Sequence, residues 1–165
     1  MCGIAGCMTL PGSVQPQVES QVRAMINRIE HRGPDGNGFW ATPNRSVCLG
    51  HARLAVIDTT DSGVQPMAGA DGSVIVFNGE IYNHAALRKE LEGMGFLFSG
   101  RSDTEVLLKA VDAWGLSVAL SRVDGMFAAA IYGKSESRLT LFRDLFGEKP
   151  LYYSIRNGLL SYFSA

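Results

Sequence analysis

From Gly125 to the end, the chain is cut into four short apolar runs, "GMFAAAIYG", "SRLTLFRD", "KPLYYSI" and "GLLSYF", separated by turn-forming residues. Runs this short and this regularly interrupted read as strands of an antiparallel system rather than as helices. Segments 46–58 ("SVCLGHARLAVID") and 73–77 are also strand-like. Helical patterning lies between and before these β blocks. Val18, Val22, Met25, Ile26 and Ile29 share one helical face, which the glycines and proline of "HRGPDGNG" end, and a loop then leads into strands. Leu87, Leu91 and Met94 mark a helix over 84–94 with Asn83 at its cap, and "SDTEVLLKAVDAWG" opens with Ser102 and Glu105 at capping-box spacing. Val106, Leu107, Ala110, Val111 and Trp114 line the inner face of that second helix. Strands, then two helices, then strands again predict layered sheets with helices outside, not alternating βαβ units.

A chain of 165 residues, 46% of them hydrophobic, suffices for one domain with its own core. Nucleic acid is not an expected partner, because a net charge of −1 and the lack of a Lys/Arg cluster leave nothing to neutralise phosphates. No apolar run approaches a bilayer span, so no membrane association is expected and the reading is cytoplasmic. Cys2, Cys7 and Cys48 are an odd set without C-x-x-C spacing, which indicates neither a disulfide framework nor a zinc site. His31, His51 and His84 have no ligand spacing and are read as structural or loop-ordering, so no metal site is expected. The 19 glycines imply many tight turns or close backbone approaches.

Two stretches carry chemistry. In "VIVFNGEIYNH" an apolar strand, Val74 to Phe77, runs into Asn78-Gly79, a strong hairpin signal, yet no second strand follows. A polar Asn-Gly-Glu at that place calls for a purpose other than turning. At the start, "MCGIAGC" puts a cysteine directly after the initiator methionine. If Met1 is removed, the Cys2 thiol lies beside its own α-amine, whose ordinary pKa of roughly 7.7–8.0 suits a general base. If Met1 is retained, that nitrogen is locked in a peptide bond.

"MCGIAG", "HRGPDG", "GHARLAVID", "QPM", "FNGEIYNH", "SDTEV" and "FRDLFGEKPLYY" occur in the order seen in class II glutamine amidotransferase domains, and the chain resembles those of glutamine-hydrolysing asparagine synthetases from Met1 nearly to its last residue. The resemblance implies an α+β fold of the N-terminal-nucleophile (Ntn) hydrolase type, a four-layer αββα sandwich of two antiparallel sheets between helix layers. It makes residues 1–165 one glutaminase domain, C-terminally truncated, with a synthetase domain expected downstream. It also implies that Cys2 is the nucleophile, that Asn78 and Gly79 form the oxyanion hole, and that Arg53, Glu80 and Asp103 clamp the glutamine backbone. Leu54 and Val56 contribute pocket-lining backbone groups, and "HRGPDGNG" becomes a pocket wall. The chemistry fits these roles: a guanidinium holds a carboxylate bidentately, carboxylates suit an ammonium, and amide donors stabilise charge that develops on an attacked carbonyl. Taken singly, Asp103 reads as a helix-dipole residue, Arg53 as a surface ion pair and Glu80 as a solvated charge. Their joint occurrence, in order, favours function.

The implied reaction is hydrolysis of L-glutamine to glutamate and ammonia through a Cys2 thioester, with no cofactor for that half. ATP and magnesium are expected only in the synthetase domain, where ammonia would be used to form asparagine from aspartate. A different acceptor, such as a sugar carboxylate, remains open, since the acceptor is chosen downstream. So does a non-catalytic interaction module, although the nucleophile and clamp are all present. The resemblance leaves room for a homodimer of the full-length protein.

Overall fold

The computed structural model describes residues 2–14 and 17–165 and has the two-sheet architecture that the sequence predicts. One sheet has five strands: β1 (Gly3–Thr9), β2 (Gly36–Ala41), β3 (Val47–Arg53), β8 (Tyr152–Arg156) and β9 (Leu159–Ser164), in the order β2-β3-β1-β9-β8. The other has four: β4 (Met67–Ala68), β5 (Val74–Ile81), β6 (Gly125–Gly133) and β7 (Arg138–Arg143), in that spatial order. All strand pairings are antiparallel. Helix α1 (Val18–Arg28) covers the outer face of the first sheet, while α2 (His84–Gly93), α3 (Asp103–Trp114) and α4 (Leu116–Arg122) cover the second. Among the described residues, no helix is long and apolar enough to cross a membrane.

Three apolar clusters occupy the three interfaces of these four layers. Ala5, Cys7 and Cys48 meet Val22 and Ile26 of α1, so the two inner cysteines act as packing residues. Between the sheets lie Ile4, Leu49, Val76, Ala130 and Tyr162. Beneath α2 and α3 lie Ile75, Phe77, Leu91, Leu107 and Ala129. Adjacent residues of β5 and β6 thus belong to opposite faces, as a two-residue period requires. Gly6 sits where a side chain would strike Tyr162, since a Cβ there would lie 2.5 Å from the ring.

Several boundaries depart from the sequence expectation. The strand predicted at 73–77 runs on through Asn78-Gly79-Glu80 to Ile81, paired throughout with β6. The strand predicted over 46–58 stops at Arg53, and residues 54–58 form a loop. Helix α4 and strand β2 were not expected, and β2 begins inside "HRGPDGNG". The capping box does not close. Ser102 Oγ accepts from Thr104 N–H at 3.1 Å, while the Glu105 carboxylate accepts from the N–H groups of Ser99 and Gly100 and so ties down the preceding loop. Asn83 stands at the α2 cap but makes no side-chain cap bond; its amide joins Arg122 O and Asp124 N–H, linking α2 to the end of α4.

Candidate active site

Strand alternation carries the inter-sheet faces from apolar to polar at one end of the sandwich. On β3 the residues after Val47 and Leu49 on that face are His51 and Arg53; on β5, after Val74 and Val76, they are Asn78 and Glu80; on β9, Ser164 follows Tyr162. Cys2, one residue before β1, continues the face that holds Ile4. A cavity of about 170 Å³ opens there, and Cys2, Arg53, Leu54, Val56, Gly79, Glu80 and Asp103 all line it. Seven of the eight expected site residues therefore share one cavity. Asn78 does not line it. Its side chain is fully buried between the sheets, the amide Nδ2 donates to Ser164 Oγ at 3.0 Å, and Oδ1 has no hydrogen-bond partner among the described residues.

The Cys2 thiol is held by one backbone unit. Leu54 N–H donates to Cys2 Sγ at 3.3 Å and the thiol donates to Leu54 O at 3.4 Å. Burial pushes the thiol pKa up, and the Leu54 N–H opposes that shift. Such a thiol rests protonated and needs a base. The expectation that Met1 is removed, freeing the Cys2 α-amine, falls on a residue outside the described ones.

Arg53 projects from the end of β3. Its Nη2 donates to the carbonyls of Asp58 and Thr60, both at 2.7 Å, and the guanidinium makes no other hydrogen bond among the described residues. The Asp58 carboxylate accepts from Thr60, Ser62 and Arg101 N–H, which hold its pKa well below the ordinary carboxylate range. This hydrogen-bonded turn holds one side of the guanidinium. Glu80 is exposed and unpaired among the described residues.

Asp103, the first residue of α3, is only 6% exposed. Its carboxylate accepts from Ile81 N–H at 3.0 Å and Thr104 N–H at 2.9 Å, yet no cation pairs with it among the described residues. Desolvation raises its pKa, partly offset by those two N–H donors. The His84 imidazole also acts on it electrostatically without forming an ion pair, so a buried carboxylate facing the cavity is left as a ready site for a ligand ammonium. With Arg53 also present, the cavity offers complementary groups for both ends of an α-amino acid.

"HRGPDGNG" buttresses the cavity wall rather than forming it. Gly33 lies against β3, where a Cβ would come within 2.2 Å of the Ala52 carbonyl carbon, and the Asp35 carboxylate accepts from Ala55 N–H at 2.8 Å. Of the cavity residues that the sequence did not single out as site residues, two have informative surroundings. Gln65 accepts from Phe77 N–H at 2.6 Å and donates to Thr104 Oγ1 at 3.1 Å; it stands inside "QPM", but only its buried position reveals that bridge. His51, 1% exposed, has no hydrogen-bond partner at either ring nitrogen among the described residues; the Phe77 carbonyl lies near the ring but outside hydrogen-bond geometry. Burial, with Arg53 nearby, pushes its pKa down to about 3. Among the described residues, no three His, Cys, Asp or Glu side chains are grouped to hold a metal ion.

Comparison with known proteins agrees with this geometry. The chain is 40% identical over 167 residues to asparagine synthetase [glutamine-hydrolyzing] 1 of Bacillus subtilis, covering 100% of this chain and 26% of the relative. It is 36% identical over 169 residues to amidase chry2 of Gibberella zeae, covering 97% of this chain and 25% of the relative. It therefore spans about a quarter of the length of these relatives. Among solved structures, glutamine phosphoribosylpyrophosphate amidotransferase from B. subtilis, complexed with ADP and GMP, superposes with a TM-score of 0.83 at 22% identity, over 98% of this chain and 41% of that one; this supports the Ntn-type fold. The family described as glutamine amidotransferase domain matches residues 1–165, and the chain belongs to that family.

Proposed function

We propose that this chain is a glutaminase domain that hydrolyses L-glutamine and passes the ammonia to a synthetase domain of the same protein. The observation that carries this reading is the convergence of Cys2, Arg53, Gly79, Glu80 and Asp103 on one small cavity. Arg53 receives the substrate α-carboxylate, and Asp103 with Glu80 receives the α-ammonium, which leaves the carboxamide directed at Cys2. The thiol, deprotonated by its own α-amine, attacks the carboxamide carbon. The C–N bond breaks, ammonia departs with the proton from the amine, and water hydrolyses the thioester to glutamate. The backbone N–H of Gly79, which lines the cavity, stabilises the oxyanion of each tetrahedral intermediate, and the Asn78 amide, buried directly behind it, is proposed as the second donor once substrate is bound. No cofactor takes part in this half, and ATP with magnesium belongs to the synthetase domain. The uneven, unpaired set of three cysteines suits a cytosolic setting.

The acceptor of the parent protein is proposed to be aspartate, by likeness to the asparagine synthetases. A second reading, an acceptor other than aspartate, is favoured by one observation: the relatives called amidase chry2 and amidase chyE match this chain about as well, at 36% identity.

The test of the glutaminase reading is direct. Incubation with an electrophilic glutamine analogue should add one analogue mass to the parent protein and none to Cys2→Ala, and Cys2→Ala should release no ammonia from glutamine while melting like the parent. Ammonia release by Cys2→Ala at the parent rate would overturn the assignment.

A further inference from the structure

Ser164 lies at the end of β9, fully buried, on the face that looks across the inter-sheet gap toward β5. Its register partner on β1 is Ile4, and Cys2 is the next residue toward the cavity on that same face. Across the gap stands Asn78, flanked by the cavity-lining residues Phe77 and Gly79. Among the described residues, the 3.0 Å contact from Asn78 Nδ2 to Ser164 Oγ is the amide's one side-chain hydrogen bond. Left to itself, a primary amide rotates about its last torsion, a broad and soft one.

We infer that Ser164 is a positioning residue for the oxyanion hole: its hydroxyl holds one Nδ2 hydrogen of Asn78 and thereby fixes the direction of the other. This rests on the reading of Asn78 as an oxyanion donor. An amide nitrogen carries two coplanar hydrogens that point in different directions. With one anchored on Ser164 the amide plane is set, and the second hydrogen is left for the proposed oxyanion role, on a side chain that lies just behind the cavity-lining Gly79 rather than in the cavity wall. Preorganised donors of this kind lower the barrier because they need no reorientation as the charge appears. Ser164 touches neither substrate nor nucleophile in this account and acts only through Asn78.

The experiment is a double-mutant cycle on the full chain, measuring glutamate formation for Ser164→Ala, Asn78→Ala and the double variant, with thermal melts of each. Ser164→Ala should lower kcat by about 10-fold or more with KM within about two-fold, since the amide matters mainly once charge has formed. Asn78→Ala should lower kcat by about 10²–10³. In the Asn78→Ala background the Ser164 substitution should cost nothing further, because there is no amide left to orient. A merely structural hydroxyl would instead lower kcat by the same factor in both backgrounds, and that result overturns the inference. So does parent-like kcat in Ser164→Ala while Asn78→Ala is impaired, which leaves the oxyanion reading intact. Parent-like kcat in Asn78→Ala overturns that reading and the inference with it. If Ser164→Ala does not fold, Ser164→Cys, similar in size but a weak acceptor, is judged by the same criteria.

Discussion

Asp103 and His51 are two buried titratable groups whose surroundings push them toward neutrality, and each makes a separate prediction. Asp103→Asn keeps the shape and one acceptor oxygen but removes the charge that would meet a substrate ammonium. It should weaken glutamine binding by about 1.5–3 kcal/mol, seen mostly in KM. Glutamine analogues that lack the α-amine should not distinguish the variant from the parent. His51 is held neutral by burial and by Arg53, with its pKa lowered from 6.5 to about 3. Between those two values the unfolded chain binds a proton that the folded chain does not, so stability falls as pH drops through that window. The slope approaches about 1.4 kcal/mol per pH unit for this one group, on the order of a few kcal/mol in total by pH 3. His51→Phe should therefore flatten the acid limb of a plot of denaturation midpoint against pH; an unchanged limb would show that other groups govern it. Asp103 was singled out as a clamp residue by the family resemblance, but the isolation of His51 was not legible in the sequence. "GHARL" places the histidine on a strand, but its lack of partners is a property of the gap between two sheets.

At the scale of elements, β5 explains why Asn-Gly-Glu stands where it does. The local signal was a hairpin, and the register with β6 overrides it: Asn78 pairs with Ala128, Gly79 with Phe127 and Glu80 with Met126. The strand turns polar because its inter-sheet neighbours there are Cys2, His51 and Arg53 rather than Leu49 and Tyr162. Gly79 is required for closeness, since a Cβ at that position would lie 2.1 Å from Met126 O and 2.5 Å from Phe127 Cα. Gly79→Ala must push β5 away from β6 and should cost on the order of 1–3 kcal/mol in chemical denaturation, as over-packing does. Its glutaminase rate should fall as well, because the displaced backbone carries one of the proposed oxyanion donors. The strands with apolar runs and turn signals were readable to within a few residues, and β6 was readable to the residue. The short β4 and the α4 helix were not, because two residues carry no period and seven barely complete two helical turns. Part of the cap chemistry also escaped local reading. Ser102 caps α3 through Thr104 N–H as its position suggested, but Glu105 and Asn83 spend their side chains on the preceding loop and on a neighbouring helix instead of on cap bonds.

For the whole molecule, the two sheets are unequally covered. The outer face of the five-stranded sheet has only α1 across it among the described residues, and β8 forms an open edge with all five of its residues exposed. Tyr152, Tyr153 and Ile155 of that strand are 56%, 70% and 57% exposed, and Phe163, which stacks on Tyr152, is 40% exposed. A sheet edge with unpaired backbone groups and apolar side chains is a template for pairing with another chain. Residues 1–165 on their own should therefore self-associate as concentration rises, with a light-scattering mass above that of one chain. Ile155→Lys puts a charge on the edge strand in place of an exposed apolar side chain and should return the mass toward 17.8 kDa. The glutaminase rate should not change, because β8 contributes nothing to the cavity at the other side of β9 and β1. A concentration-independent mass of one chain for the parent would show that this edge is protected by its own twist. Association that persists in Ile155→Lys would move the contact elsewhere, with the exposed Leu145 and Phe146 between β7 and β8 as the next surface to charge.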